Sequence, residues 1–349
     1  MKAAVWYGKK DLRVEEVEVS PVKENEVQIR VAWAGICGSD LHEYEEGPVF
    51  MPSQKRDELT GEQTPLTMGH EFAGIVEKVG SQVKNIKPGD RVAVNPTLTH
   101  GHKHEDVDIY DGFSFIGLHG NGGFTRFANV PEGNVYILPE SLSLQDGALV
   151  EPMAVAVQAV KESRLQFGDT VAVFGAGPIG LVTIVAAKAA GASRIIALDL
   201  SETRLQKAKV MGATDVINPS EVNAVEAIKE LEKDGVDVSY EVAGVEPTFK
   251  QSIDATKARG TMVIISIFAG SIDWNPMQLT GSGVKITSTI AYSPTTFQQT
   301  VDLMGTGQLK PQEMITDKIQ LDEIVDKGFE ALSNDKSQAK ILVELSGEL

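Results

Sequence analysis

The sequence holds one cysteine, Cys37, within Gly35-Ile36-Cys37-Gly38-Ser39-Asp40-Leu41-His42, and an adjacent histidine and glutamate in Gly69-His70-Glu71-Phe72-Ala73-Gly74. A thiol in a glycine-rich turn is an oxidisable liability unless its thiolate is used, and zinc takes thiolate, imidazole and carboxylate oxygen as ligands. Cys37 and His70 therefore form a candidate metal pair that needs a third ligand. Glu151 is placed to supply it: Glu151-Pro152 falls where a β-rich half of the chain gives way to an α/β half, and clefts between domains collect such sites. Each residue also has a plainer reading. Cys37 can be a small buried hydrophobe, His70 a satisfied core histidine and Glu151 a solvated interdomain carboxylate.

Gly175-Ala176-Gly177-Pro178-Ile179-Gly180 follows the apolar run Val171 to Phe174 and opens a stretch carrying Leu181, Ile184 and Val185. In such a turn Gly175 permits the tight bend, Gly177 lets the backbone approach a pyrophosphate and Gly180 lets helix and strand pack closely. The helix N-terminus then offers free N–H groups and the positive end of its dipole to the phosphates. Asp199 closes the next predicted strand, where a carboxylate accepts from a ribose 2′-hydroxyl and repels a 2′-phosphate, so NAD(H) is expected over NADP(H). Arg204 qualifies that preference, because a nearby arginine accommodates a phosphate. The alternative for Asp199 is to cap a helix starting near Ser201-Glu202. Ile267, Ile290 and Tyr292, at strand ends of the same half, are candidate nicotinamide neighbours.

The elements that must carry these residues differ between the two halves. Up to about residue 150 the text reads as short strands and turns: Val27, Ile29, Val31 and Trp33 alternate with other residues, Val14 to Val19 and Ile75 to Val79 are rich in β-branched side chains, and Pro88-Gly89-Asp90 precedes Arg91 to Val94. Beyond residue 165 apolar strands (Val171 to Phe174, Arg194 to Leu198, Val236 to Val242, Met262 to Ile267, Val284 to Ile290) alternate with helical stretches, which predicts parallel βαβ units. Helices are expected at Thr295 to Met304 and Leu321 to Leu332, then a strand, Ala339 to Leu345, that returns to the first domain. The 349 residues suit two domains.

Lys and Arg number 32 against 49 Asp and Glu, a formal charge of −17, and no local basic patch stands out, so no nucleic-acid or anionic-membrane partner is expected. One cysteine allows no intramolecular disulfide. The N-terminus lacks a signal-like apolar run, and the most apolar stretch, Val171 to Ala192, is broken by Gly175, Gly177, Pro178, Gly180 and Lys188; a cytoplasmic protein without membrane spans is expected.

Taken together, Gly35 to His42, Gly69-His70-Glu71, Pro88 to Val92, Gly147-Ala148-Leu149-Val150-Glu151-Pro152, Gly175 to Gly180 and Lys336 to Val343 resemble the zinc-dependent medium-chain alcohol and polyol dehydrogenases end to end. The resemblance implies an α/β architecture: a GroES-like β-barrel catalytic domain, 1–152 completed by 295–349, and a Rossmann domain with a doubly wound parallel sheet, 153–294, for the coenzyme. It places Cys37, His70 and Glu151 at the catalytic zinc ligands, Glu71 at a neighbouring carboxylate able to approach the metal, and Ser39 and His42 on a proton relay; histidine titrates near about 6.5, which suits a base. The likeness is greatest to bacterial butanediol-oxidising members, which implies hydride transfer between NAD(H) and the small-molecule pair 2,3-butanediol and acetoin. Sorbitol, another polyol or threonine is the alternative substrate, and a non-catalytic dinucleotide binder the alternative class. A homodimer or homotetramer is implied, joined through edge strands of the coenzyme sheet.

Two stretches depart from the pattern. Where many members carry four cysteines for a structural zinc, this chain reads Asn95 to Asp106 with none, so that site cannot form; His100, His102 and His104 could share one side of an extended backbone and bind a divalent metal, or form a solvated loop. Gly47 to Thr67 is long for a connector and is expected to shape the substrate mouth. Trp33, Phe50, Phe115 and Trp274 are read as core.

Overall fold

Val27, Ile29 and Val31 recur at every second position and are fully buried, which makes Glu26–Gly35 the central strand of a sheet. Glu71–Val79 pairs along it antiparallel, and Phe127–Pro131 and Lys340–Glu344 pair antiparallel with its two ends. Arg91–Val94 and Val135–Ile137 extend the sheet on one side and Ile315–Gln320 on the other. A three-stranded sheet of Asp11–Glu16, Lys2–Gly8 and Leu66–Thr67 accompanies it, and Trp6, Met68, Phe72, Phe124 and Phe329 lie in the core of this unit. The returning strand expected near the C-terminus forms as Lys340–Glu344. The computed structural model describes residues 1–101, 108–268 and 270–346. Contacts divide them into one unit of Met1–Glu151, Ser293–Gly307 and the chain from Ile315 onward, and a second of Pro152–Tyr292 and Gln308–Met314.

The second unit is built on a six-stranded, wholly parallel sheet in the order Asp215–Ile217, Arg194–Leu198, Thr170–Phe174, Val236–Glu241, Thr256–Ile264, Lys285–Ser288. In chain order this runs outward from Thr170–Phe174 in both directions, so a topological switch lies beside that strand. All five expected strands are present. Thr256–Ile264 starts earlier than its apolar run, and Asp215–Ile217 has no counterpart in the sequence reading because three residues show no period. The expected helix at Leu321 to Leu332 is a 3₁₀ turn Leu321–Glu323, a π-helical turn Ile324–Phe329 and a short α-helix Glu330–Asn334. Gly328 lies within this stretch, where a Cβ would press on Ile36 and Ile319.

Trp33 is buried, Phe50 and Phe115 pack on the first unit's core, and Trp274 packs edge-on against Phe249 at 5.3 Å. His100 is exposed, while His102 and His104 lie outside the described residues. Among the described residues no helix is long and apolar enough to cross a membrane.

Candidate metal and dinucleotide sites

Cys37 occupies the N-cap of the helix Gly38–Glu45, with extended backbone angles of φ −100° and ψ 160°. His70 follows Gly69, whose φ of +96° and close approach to Phe124 exclude a side chain. Glu71 opens the strand Glu71–Val79 directly opposite Gly35, where a Cβ would overlap the Glu71 carboxylate. Gly35 thus leaves the space that the Glu71 carboxylate enters, and Gly69 turns the chain past Phe124 into His70.

The Cys37 sulfur, a His70 ring nitrogen and a Glu71 oxygen lie within 4.8 Å of one another, and no other group of three such ligands exists among the described residues. His70 is 3% exposed and Glu71 wholly buried. Glu151, the third ligand implied by resemblance, is 5% exposed near the start of the helix Val150–Ser163 but stands outside that tight group; its charge is felt by Lys340. Ser39 Oγ stands 3.2 Å from His70 Nε2, and the Phe115 ring meets the imidazole edge-on at 6.2 Å. His42 is exposed on the same helix as Ser39.

Two residues that sequence reasoning did not assign complete the site. Asp40, wholly buried, accepts the Cys37 N–H through Oδ2 at 3.0 Å and sets Oδ1 3.3 Å from His70 Nδ1. Burial opposes a charge on His70, but the Asp40 carboxylate and Cys37 outweigh it and hold the imidazole pKa well above the ordinary value. Lys340, 1% exposed, donates to both Glu71 oxygens at 2.7 and 2.6 Å and to the Ile36 carbonyl at 3.0 Å. Burial works against its ammonium too, and Glu71 and Cys37 more than restore it, so its pKa is raised.

The long segment after Glu43 is organised from below. The fully buried Glu43 carboxylate accepts the backbone N–H groups of Val49, Phe50 and Met51. A cavity of about 470 Å³ opens beside this segment, lined by Phe50, Met51, Asp57, Phe113, Ser114 and His119 among others.

In the second unit Gly175 has φ +116°, and a Cβ at Gly180 would overlap the Gly175 carbonyl, so both glycines are structurally required. Gly177 caps the helix Pro178–Ala189 and Pro178 takes its first position, with Ile179 next. Asp199 accepts the Ala176 N–H at 2.9 Å and the Ser201 N–H at 2.9 Å, and Arg204 Nη1 stands 3.8 Å away. Ser201, not Asp199, is the N-cap of the helix Glu202–Met211, so the capping alternative for Asp199 is not realised. Ile267 and Ile290 are exposed just beyond the C-terminal ends of their strands, the end at which Gly175 and Asp199 also lie; Tyr292 is buried. Sequence reasoning missed Glu241, whose buried carboxylate accepts from Ala243 N, Gly244 N, Thr248 Oγ1 and Ser266 Oγ and ties together the turns after two strands.

Residues 23–140 match the alcohol dehydrogenase GroES-like domain family and residues 178–306 the zinc-binding dehydrogenase family. The (R,R)-butanediol dehydrogenase of Bacillus subtilis (strain 168) is 45% identical over 346 residues, covering 98% of this chain and 99% of that protein. The chain belongs to the zinc-binding dehydrogenase family. The crystal structure of 2R,3R-butanediol dehydrogenase from Bacillus subtilis superposes with a TM-score of 0.94 at 44% identity, covering 98% of this chain and 99% of that one. A Sinorhizobium meliloti 1021 structure bound to NADP superposes at 0.88 with 31% identity, over 98% of each chain. The GroES-like and Rossmann folds expected from sequence are those found in these zinc-binding dehydrogenases, and the chain is an alcohol dehydrogenase acting on a small molecule.

The residues present fit a zinc ion. Thiolate, imidazole and carboxylate converge in one buried place, and a carboxylate beside the non-ligating face of the histidine is the usual support of a metal-bound imidazole.

Proposed function

We propose that this zinc-binding dehydrogenase transfers hydride between NAD(H) and the 2,3-butanediol/acetoin pair. End-to-end likeness to (R,R)-butanediol dehydrogenase carries the reading. In it Cys37, His70 and Glu151 hold the zinc, with Glu71, which Lys340 meets, standing beside the metal or serving as an alternate ligand. A zinc ion there supplies a Lewis acid that acidifies a substrate hydroxyl and balances the charge left on its oxygen. Ser39, whose hydroxyl sits at the Nε2 edge of His70, would accept the substrate proton as it gives up its own, and through the coenzyme ribose the exposed His42, three residues later on the same helix, would pass a proton to solvent.

The first domain, 1–152 with 295–349, carries this chemistry, and residues 153–294 bind the coenzyme. Gly175, Gly177, Pro178, Ile179 and Gly180 cradle the pyrophosphate, Asp199 holds the adenosine ribose with Arg204 beside it, and Ile267, Ile290 and Tyr292 border the nicotinamide. Asp199 favours NAD(H), and the protein works in the cytoplasm as a homodimer or homotetramer.

The test is the initial rate of NADH oxidation with acetoin, fructose and 2-amino-3-oxobutanoate, before and after chelation, with NADPH in parallel. Acetoin turnover abolished by chelator and restored by zinc is expected. A faster rate on fructose or the amino ketone moves the substrate to a polyol or threonine type. Equal kcat/KM for NADPH overturns the cofactor preference.

A further inference from the structure

An aromatic run leads away from His70. The Phe115 ring meets the imidazole edge-on at 6.2 Å, Phe113 meets Phe115 at 5.4 Å, His119 stands 6.5 Å from Phe113, and Phe50 lies 6.3 Å beyond His119. The turn that carries Phe115 and His119 is also pressed against the backbone at His70: a Cβ at Gly117, φ +93°, would overlap the Gly69 carbonyl and crowd the His70 backbone nitrogen. Within this turn His119 N donates to the Phe115 carbonyl at 2.7 Å, and the Phe115 N–H donates to His119 Nδ1 at 3.0 Å. A backbone N–H can only donate, so Nδ1 carries no proton and the neutral ring holds its proton on Nε2. Burial pushes the His119 pKa down, against the opposing charge of Asp57, and so favours that neutral form. The long segment after Glu43 fastens the turn from outside: Thr60 Oγ1 donates to the His119 carbonyl at 2.7 Å, and both Asp57 oxygens accept from Ser114 Oγ at 2.9 and 2.8 Å.

We propose that His119 is a positioning residue for substrate selection: by accepting the Phe115 N–H it holds the Phe115 ring beside His70 as an apolar wall that admits the methyl groups of a short ketone and disfavours a polyhydroxy chain. The inference rests on the butanediol reading above. Acetoin and 2,3-butanediol end in a methyl group on each side, whereas fructose carries a hydroxyl on every carbon but the carbonyl one. A hydroxyl pressed on an aromatic face gives up water and gains no partner, while a methyl group gains by the same contact. Without the His119 acceptor the Phe115 N–H loses its partner and the ring loses its fixed place.

The test compares the zinc-loaded parent with His119→Ala and His119→Asn, whose amide oxygen can stand where Nδ1 accepts. The readout is the ratio of kcat/KM for acetoin to that for fructose with NADH. We expect the parent to favour acetoin, His119→Ala to lower the ratio by about 10-fold, a scale on which one apolar contact discriminates substrates, and His119→Asn to restore it. A folded His119→Ala that loses rate on both ketones alike, or on neither, overturns the proposal, and so does a His119→Asn that falls as far as the alanine variant. Histidine ring-nitrogen NMR of the parent near neutral pH decides the matter even where His119→Ala does not fold: with His119 assigned by its loss in His119→Asn, the Nε2–H tautomer is expected and the Nδ1–H tautomer overturns the proposal. A parent that favours fructose overturns the butanediol reading itself, and the inference with it.

Discussion

Asp40 joins two ligand-type residues through one carboxylate: Oδ2 takes the Cys37 N–H and Oδ1 faces His70 Nδ1. The first contact fixes the start of the helix that presents the thiol, and the second sets a carboxylate oxygen 3.3 Å from the imidazole Nδ1. Asp40→Asn keeps size and the N–H acceptor but loses the charge facing His70. It should weaken zinc binding by about 10–100-fold with the fold intact; competition with a chelating dye, beside a circular dichroism spectrum, measures both. Unchanged affinity would reduce Asp40 to a helix-capping residue. Asp40 lay in plain view inside Gly35 to His42, and Lys340 inside the stretch near the C-terminus, yet neither role was legible. Residue type shows what a side chain can do, and only the fold shows that residue 40 meets residue 70, or 340 meets 71. Glu43 and Glu241 were hidden for a second reason: the partners of Glu43, and half of those of Glu241, are backbone N–H groups, which every residue but proline owns.

Elements were more legible than contacts. The parallel strands of the second unit announce themselves by apolar runs, since a strand covered on both faces needs no polar alternation. Asp215–Ile217 and the irregular turns from Leu321 to Asn334 were not legible, because short or non-α elements carry no period. The central strands are also pinned at their N-terminal ends. Asp237, on Val236–Glu241, accepts from Thr170 N and Oγ1 at 3.0 and 2.9 Å and pairs with Lys257. Burial raises its pKa, but Lys257 and Thr170 prevail and the net shift is downward. A carboxyl whose folded pKa is depressed contributes stability that is complete above the unfolded value, about 3.9, and is lost as pH falls through the lower folded value. Asp237→Asn should therefore destabilise the protein near neutral pH by about 1.5–3 kcal/mol, the range for hydrogen bonds to a charged group, and the gap from the parent should close as the pH drops below 4. Urea midpoints for both proteins across that range test the sign; a gap that widens in acid would contradict it.

At the scale of the whole molecule, charge and sheet edges pull in opposite directions. The chain carries a formal charge of −17, so two copies repel in the mean. The parallel sheet nevertheless ends in Lys285–Ser288, which among the described residues pairs only with Thr256–Ile264, and exposed apolar residues flank it in sequence: Met277 at 67% and Ile290 at 42% exposure. An unpaired edge beside apolar surface favours association, and the proposed homo-oligomer draws on both. The balance should then depend on salt. Repulsion between charges reaches about 30 Å at 0.01 M ionic strength and about 8 Å at 0.15 M, whereas edge pairing and apolar burial are not screened. Light scattering at micromolar protein should therefore give two or four times the 37.5 kDa chain mass at 0.15 M salt, with the smaller species gaining at 0.01 M. A single 37.5 kDa species at both salt concentrations would refute the oligomer, and a mass that falls as salt rises would show that charge pairing, not the sheet edge, holds the copies together.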